Sequence, residues 1–189
     1  MTRDRSRRAD VRVKFPSVES RSEGETEIIA RFLAAQVYGG LTVILSGALG
    51  AGKTALVRGI AEALGASGVK SPTFAIESRH RLPEKEFELV HADLYRLGSV
   101  PACSDEALQM EELVSGKGAS LLLVEWGERW ENPPLTDRWD VAVSMPEDVR
   151  DGGTSVRVLD FAAWGMKALE KLSAAYSALL GDAGAGRCR

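Results

Sequence analysis

Cysteine is almost absent: Cys103 and Cys188 are far apart and form no C-x-x-C pair. With only two histidines beside them, no zinc-site spacing exists. The expected state is two reduced thiols in a reducing cytosol. Long apolar runs are missing too, and none approaches the ~18 residues that a membrane span needs. Excess positive charge is lacking: 24 Lys and Arg against 27 Asp and Glu leave a net charge of −3. A chain-wide electrostatic case for nucleic-acid binding therefore fails. Residues 1–14 do hold six basic and two acidic side chains. No apolar segment follows them, so they do not read as a secretory signal. They read as a solvated tail, or as a small basic patch for RNA or an acidic partner. No internal repeat and no linker stands out, and the expected location is the cytoplasm.

What is present is an ordinary globular balance. The 189 residues are 44% hydrophobic and 27% charged, enough for one domain with a sizeable core. Glycine is the surplus, at 19 residues, about a tenth of the chain against a usual ~7%.

Val11, Val13 and Phe15 alternate as in a strand, at a sheet edge because Pro16 follows. Ser22 and Glu25 have capping-box spacing, and apolar residues at helical spacing predict a helix over 26–38, stopped by Gly39-Gly40. The run 41–45 is continuously apolar and β-branched, the mark of a strand buried on both faces. A helix follows over 53–64, closed by Gly65. Residues 69–80 read as extended, 81–86 as a charged turn and 87–91 as a strand. A short helix is predicted over 105–114 and a second apolar strand over 121–125. Segments 139–144 and 154–161 suit an antiparallel pair extending the sheet edge, across Asp151-Gly152-Gly153. A final helix falls over 167–180, its apolar stripe expected on the core, with a loose tail from Gly181. The pattern is an α/β domain with a mostly parallel central sheet, antiparallel edge strands and helices on both faces.

The glycine surplus concentrates usefully at Gly47-Ala48-Leu49-Gly50-Ala51-Gly52-Lys53-Thr54. This is the G-x-x-x-x-G-K-[ST] phosphate loop, placed between a buried strand and a helix. Backbone N–H groups must converge on phosphate oxygens, which needs turns that only glycine makes freely. Lys53 would reach the β- and γ-phosphates, and Thr54 would offer a hydroxyl to Mg²⁺. The spacing is not G-x-G-x-x-G, so a dinucleotide site is disfavoured. Such a loop needs an acidic residue at the end of a neighbouring buried strand, and Leu121-Leu122-Leu123-Val124-Glu125-Trp126 supplies Glu125. Asp93 in His91-Ala92-Asp93-Leu94-Tyr95-Arg96, just after the strand over 87–91, is a second candidate for Mg²⁺ or its waters. Thr73 in Lys70-Ser71-Pro72-Thr73-Phe74 lies where phosphate-loop proteins often carry a switch loop and could meet the metal or the γ-phosphate, although Ser-Pro-Thr is also plain turn chemistry.

Taken in order, Gly47–Thr54, Val69-Lys70-Ser71-Pro72-Thr73-Phe74, His91-Ala92-Asp93-Leu94-Tyr95-Arg96 and Val124-Glu125-Trp126 resemble the bacterial TsaE (YjeE) family. The likeness covers about residues 15–165. It implies a P-loop ATPase of low intrinsic activity in the tRNA threonylcarbamoyladenosine system. The cofactors would be ATP and Mg²⁺. The partners would be TsaD, which transfers the threonylcarbamoyl group to adenosine 37, and TsaB, with tRNA met through the complex. Hydrolysis would reset that complex between turnovers.

By position, the resemblance implies that Gly47 through Thr54 and Ala55 hold the nucleotide. Thr73 would sit near the γ-phosphate and Trp126 would line the site. Lys53, Asp93 and Glu125 would be catalytic, with Thr54, Asp93 and Glu125 serving the metal. Glu125 would polarise the attacking water or support the metal. The domain would span 15–165, between a flexible basic start (1–14) and a C-terminal helix with a loose tail (166–189). Two departures stand out: Ala48 replaces the family's usual Asp, and Gln109 stands where Gly is common.

Two other readings share the loop. A small-molecule kinase would close an arginine-bearing lid, for which Arg129 and Arg138 are poor material. A non-hydrolysing nucleotide-dependent scaffold is the other, against which Glu125 and Asp93 argue. No arginine is an obvious finger in cis, and no N-K-x-D motif reads guanine.

Overall fold

Leu121, Leu122, Leu123 and Val124 are all fully buried, so both faces of their strand must be covered. Full burial of each such side chain contributes about 1.5–3 kcal/mol. The computed structural model describes residues 11–66, 68–69, 76–101, 104–115, 119–146 and 156–185. Among these residues, eight strands form one sheet: β1 (Arg12–Lys14), β2 (Val18–Ser20), β3 (Thr42–Ser46), β4 (Glu77–Arg81), β5 (Glu88–Asp93), β6 (Leu121–Glu125), β7 (Arg138–Ser144) and β8 (Arg157–Trp164). Four α-helices accompany them among the described residues: α1 (Glu23–Ala34), α2 (Lys53–Ala63), α3 (Asp105–Val114) and α4 (Met166–Ala185). The strand order is β1-β8-β7-β3-β6-β5-β4, with β2 also paired to β8. β7, β3, β6 and β5 run parallel, and β4, β8, β1 and β2 join antiparallel.

Alternation along the central strands divides the core. Val43, Leu45, Leu121, Leu123, Leu89 and Val141 pack with α1, α2 and α4. Ile44, Leu122, Val124, Val90 and Ala92 face the other way, against Ala107 and Met110 of α3. Helices thus lie on both faces, as a mostly parallel sheet requires.

Ser22 caps α1 by accepting from the Glu25 N–H at 3.1 Å. Glu25 reaches back to the Arg21 N–H at 2.7 Å. The helix therefore starts at its cap and ends at Ala34, earlier at both ends than its apolar spacing predicts. α1 crosses α2 closely at Gly59, where a Cβ would stand 2.7 Å from that of Ala30. Gly65 closes α2 at φ +84°. α3 matches its predicted span and runs unbroken through Gln109, so no turn occurs there.

The expected antiparallel pair extends the sheet as β7 and β8, with β7 joined in parallel to β3 over Thr42–Ser46. Two expectations need correction. Helix α4 does not loosen at Gly181 but continues to Ala185. Each helical glycine is tolerated at a cost of ~1 kcal/mol, and the Cβ position of Gly181 is open space. Asp93 lies inside β5, as its last residue, rather than after the strand. The apolar stripe of α4 does pack on the core, through Ala168, Leu172 and Ala175.

Candidate nucleotide site

The phosphate loop leaves the end of β3 and opens α2, the crevice at the carboxyl ends of parallel strands where α/β folds bind ligands. Gly47 (φ +134°), Gly50 (φ +77°) and Gly52 (φ +110°) all have positive φ. At Gly47 the need is double, because a Cβ would stand 2.1 Å from the Val143 carbonyl oxygen. α2 starts without a side-chain cap and without an acidic residue in its first turn. Its first N–H groups are thereby left for an anion.

Lys53 is 4% exposed. Its Nζ donates to the carbonyls of Gly47 at 2.7 Å and Ala48 at 2.9 Å. The ammonium also lies 3.8 Å from the Trp126 ring centroid. Burial pushes Lys53 below the ordinary lysine range, while Glu125, Glu128 and Asp93 pull it back up.

Asp93 and Glu125 end adjacent parallel strands and are register partners. Both share strand parity with Leu89 and Leu123, which face α2. That parity puts the carboxylates on the side of the sheet where α2 begins. Glu125 is 2% exposed. Its Oε2 accepts from the Thr54 hydroxyl at 2.7 Å, and its Oε1 lies 2.9 Å from His91 Nε2. The His91 Nδ1 meets no partner among the described residues. Asp93 Oδ1 accepts the Tyr95 N–H at 2.9 Å, which fixes the turn after β5.

Trp126 follows Glu125 in the left-handed region, at φ +59°. That conformation costs a bulky residue about 1–2 kcal/mol. It turns the chain into a short 3-10 helix, Gly127–Arg129, seated on β3. Gly127 permits the contact, since a Cβ there would stand 2.0 Å from Ile44 Cγ2. The Trp126 ring packs against Tyr95 in a tilted pair, with centroids 4.8 Å apart, and Arg129 lies over both rings.

The structure thus brings Gly47, Ala48, Leu49, Gly50, Ala51, Gly52, Lys53, Thr54, Asp93, Glu125 and Trp126 to one edge of the sheet, with Ala55 on the first turn of α2. Thr73 and its Ser-Pro-Thr-Phe segment lie outside the described residues. Sequence reasoning passed over His91, although it shares the hexapeptide and the strand face of Asp93. It also passed over Arg157, whose Nε lies 3.9 Å from the Cβ position of Gly52.

Among the described residues, no three His, Cys, Asp or Glu side chains converge as a metal cage. The Thr54 hydroxyl and the Asp93 and Glu125 carboxylates are nevertheless hard oxygen donors. They suit Mg²⁺, which binds through one or two carboxylates plus substrate phosphates. The arginines that a kinase lid would need are committed elsewhere. Arg129 donates to the carbonyls of Leu94 and Tyr95. Arg138 is buried, pairs with Asp140 at 2.9 Å and donates to the Pro134 carbonyl. Burial lowers the affinity of Arg138 for its proton, and Asp140 offsets this.

The family described as threonylcarbamoyl adenosine biosynthesis protein TsaE matches residues 20–151. A Streptomyces coelicolor protein described as tRNA threonylcarbamoyladenosine biosynthesis protein TsaE is 44% identical over 102 residues, covering 53% of this chain and 66% of that one. Proteins of the same description from Synechocystis and Bacillus subtilis are 41% and 34% identical, covering 54% and 66% of this chain. The matches span 64% and 74% of those two proteins, so the chain spans about two thirds of the length of such relatives. In fold, the crystal structure of Bacillus subtilis YdiB superposes with a TM-score of 0.61 at 24% identity, covering 88% of this chain and 97% of that one. With more than half of its length matched, the chain belongs to the TsaE family.

Proposed function

We propose that this protein binds ATP with Mg²⁺ in the phosphate loop and hydrolyses it slowly. It does so for the system that makes threonylcarbamoyladenosine at position 37 of tRNA, with TsaD and TsaB as protein partners and tRNA met through them. The relatives' descriptions support the pathway. The observation that carries the nucleotide reading is the junction of Thr54, Glu125 and His91 beside the Lys53 loop. Family membership extends this to a cytoplasmic setting, and among the described residues no helix is long and apolar enough to cross a membrane.

In this reading the loop amides and Lys53 bind the phosphates, and the start of α2 adds its partial positive charge. Thr54 and Asp93 hold Mg²⁺, and Glu125 supports it or orients the attacking water. Mg²⁺ supplies neutralisation of charge on the phosphate oxygens. His91 holds the Glu125 carboxylate in place from below. Thr73 is proposed near the γ-phosphate on sequence grounds alone.

Reconstituted tRNA modification with TsaD, TsaB, threonylcarbamoyl donor and ATP tests this. Lys53→Ala is expected to reduce modified tRNA to the level without this protein. Modification that proceeds equally with Lys53→Ala contradicts the reading.

A further inference from the structure

We propose that Arg157 is a nucleotide-positioning residue that donates to the α- or β-phosphate from the side of the loop opposite Glu125; this rests on the nucleotide reading above. β7 runs parallel to β3, so its C-terminal end reaches the loop edge, where the Val143 carbonyl touches Gly47. β8 returns antiparallel, with Val158 opposite Ser144, so Arg157 begins its strand at that same edge. Arg157 shares strand parity with Leu159, Phe161 and Ala163, which pack toward α1, α2 and α4. Edge and parity together place its side chain beside the first residues of α2. The 3.9 Å between Arg157 Nε and the Cβ position of Gly52 agrees with that placement.

The local charge then points to a ligand anion. The guanidinium donates to the Val156 carbonyl at 3.1 Å, and no acidic partner for it occurs among the described residues. Across the loop, Glu125, Glu128 and Asp93 act on Lys53, but α2 itself opens without an acid. Two cations therefore flank a helix N-terminus that also carries partial positive charge. An anion lying between the Arg157 guanidinium and the first N–H groups of α2 would meet both. Gly52 and Lys53 belong to the part of the loop whose amides cradle the α- and β-phosphates. Arg157 thus grips what ATP and ADP share, and it is not a finger on the γ-phosphate.

The test is displacement of a ribose-labelled fluorescent ATP from the full chain, with Mg²⁺, by ATP, ADP and inorganic tripolyphosphate. Wild type, Arg157→Gln, Arg157→Lys and Lys53→Ala are compared. Thermal unfolding without nucleotide reports the fold of each variant. A charged hydrogen bond to phosphate predicts that Arg157→Gln weakens all three competitors by about tenfold or more, with Arg157→Lys between it and wild type. In hydrolysis assays the KM for ATP rises by a similar factor while kcat changes little. Wild-type binding by Arg157→Gln, with Lys53→Ala impaired, overturns the assignment and leaves the loop intact. A loss confined to ATP moves Arg157 to the γ-phosphate, and a loss that spares tripolyphosphate moves it to the base; either overturns the proposal. Unimpaired binding by Lys53→Ala overturns the nucleotide reading itself.

Discussion

At Glu125 a carboxylate is almost wholly buried and still has two named donors, the Thr54 hydroxyl and His91 Nε2. Removing a donor to a buried charge costs about 1.5–3 kcal/mol. His91→Phe is therefore expected to lower stability by about 2 kcal/mol in denaturant unfolding. It should also reduce kcat for ATP more than it raises KM, because the carboxylate loses its orientation. Unchanged stability and turnover would show that His91 is only filler. The loop glycines separate in the same way. Gly47→Ala drives a Cβ into the Val143 carbonyl and is expected to cost more than 2 kcal/mol. Gly50→Ala meets open space and costs only its left-handed backbone, about 1–2 kcal/mol. Comparing the two melting curves checks the ranking. At this scale the sequence was most readable where chemistry fixes residue type and spacing, as in Gly47–Thr54 and Glu125. His91 and Arg157 were not, because their value comes from the strand edge they share with the loop, and spacing along the chain does not encode that.

Among the elements, β3 and β6 were legible because continuous apolar residues can only be buried on both faces. α1 was legible at its start through the Ser22–Glu25 cap, and its apolar spacing misled at the end. The parallel pairing of β7 with β3 was not legible, since strand periodicity gives a face and never a partner. β2 was missed for a simpler reason: three residues carry too little alternation to register. That β7 pairing matters, because it carries Val143 to Gly47 and lets β8 deliver Arg157. The caps offer a test free of the site. Ser104 accepts the Ala107 N–H at the start of α3, and Ser104→Ala is expected to cost about 1 kcal/mol by denaturant unfolding with ATP binding unchanged.

Across the whole molecule, two hydrophobic cores, one on each face of the sheet, support one polar edge. The α1, α2 and α4 side is the larger core, while α3 covers the other face beside β6 and β5. The charge balance of −3 is no obstacle to an anionic ligand, because the positive potential is local to the loop. One titration reports on the frame rather than the site. Tyr38 donates to Asp137 at 2.7 Å, and burial with the Asp137 contact holds its hydroxyl far above the usual tyrosine range. The unfolded chain loses this proton near pH 10 and the folded chain does not. Stability is therefore full below pH 10 and falls as pH rises beyond it. Tyr38→Phe is expected to flatten that alkaline limb in thermal unfolding between pH 9 and 11. An equally steep limb in the variant would refute the role of the Tyr38–Asp137 pair.

In the proposed function, the loop holds ATP and the buried Glu125 carboxylate directs its hydrolysis. The most direct measurement is single-turnover conversion of labelled ATP with Mg²⁺, for wild type and Glu125→Gln, with and without TsaD and TsaB. The expected result is slow release of phosphate to water by wild type, faster with the partners, and a loss of at least about 10²-fold in Glu125→Gln with ATP still bound. Wild-type turnover by Glu125→Gln, or label found on a metabolite in place of free phosphate, would contradict it.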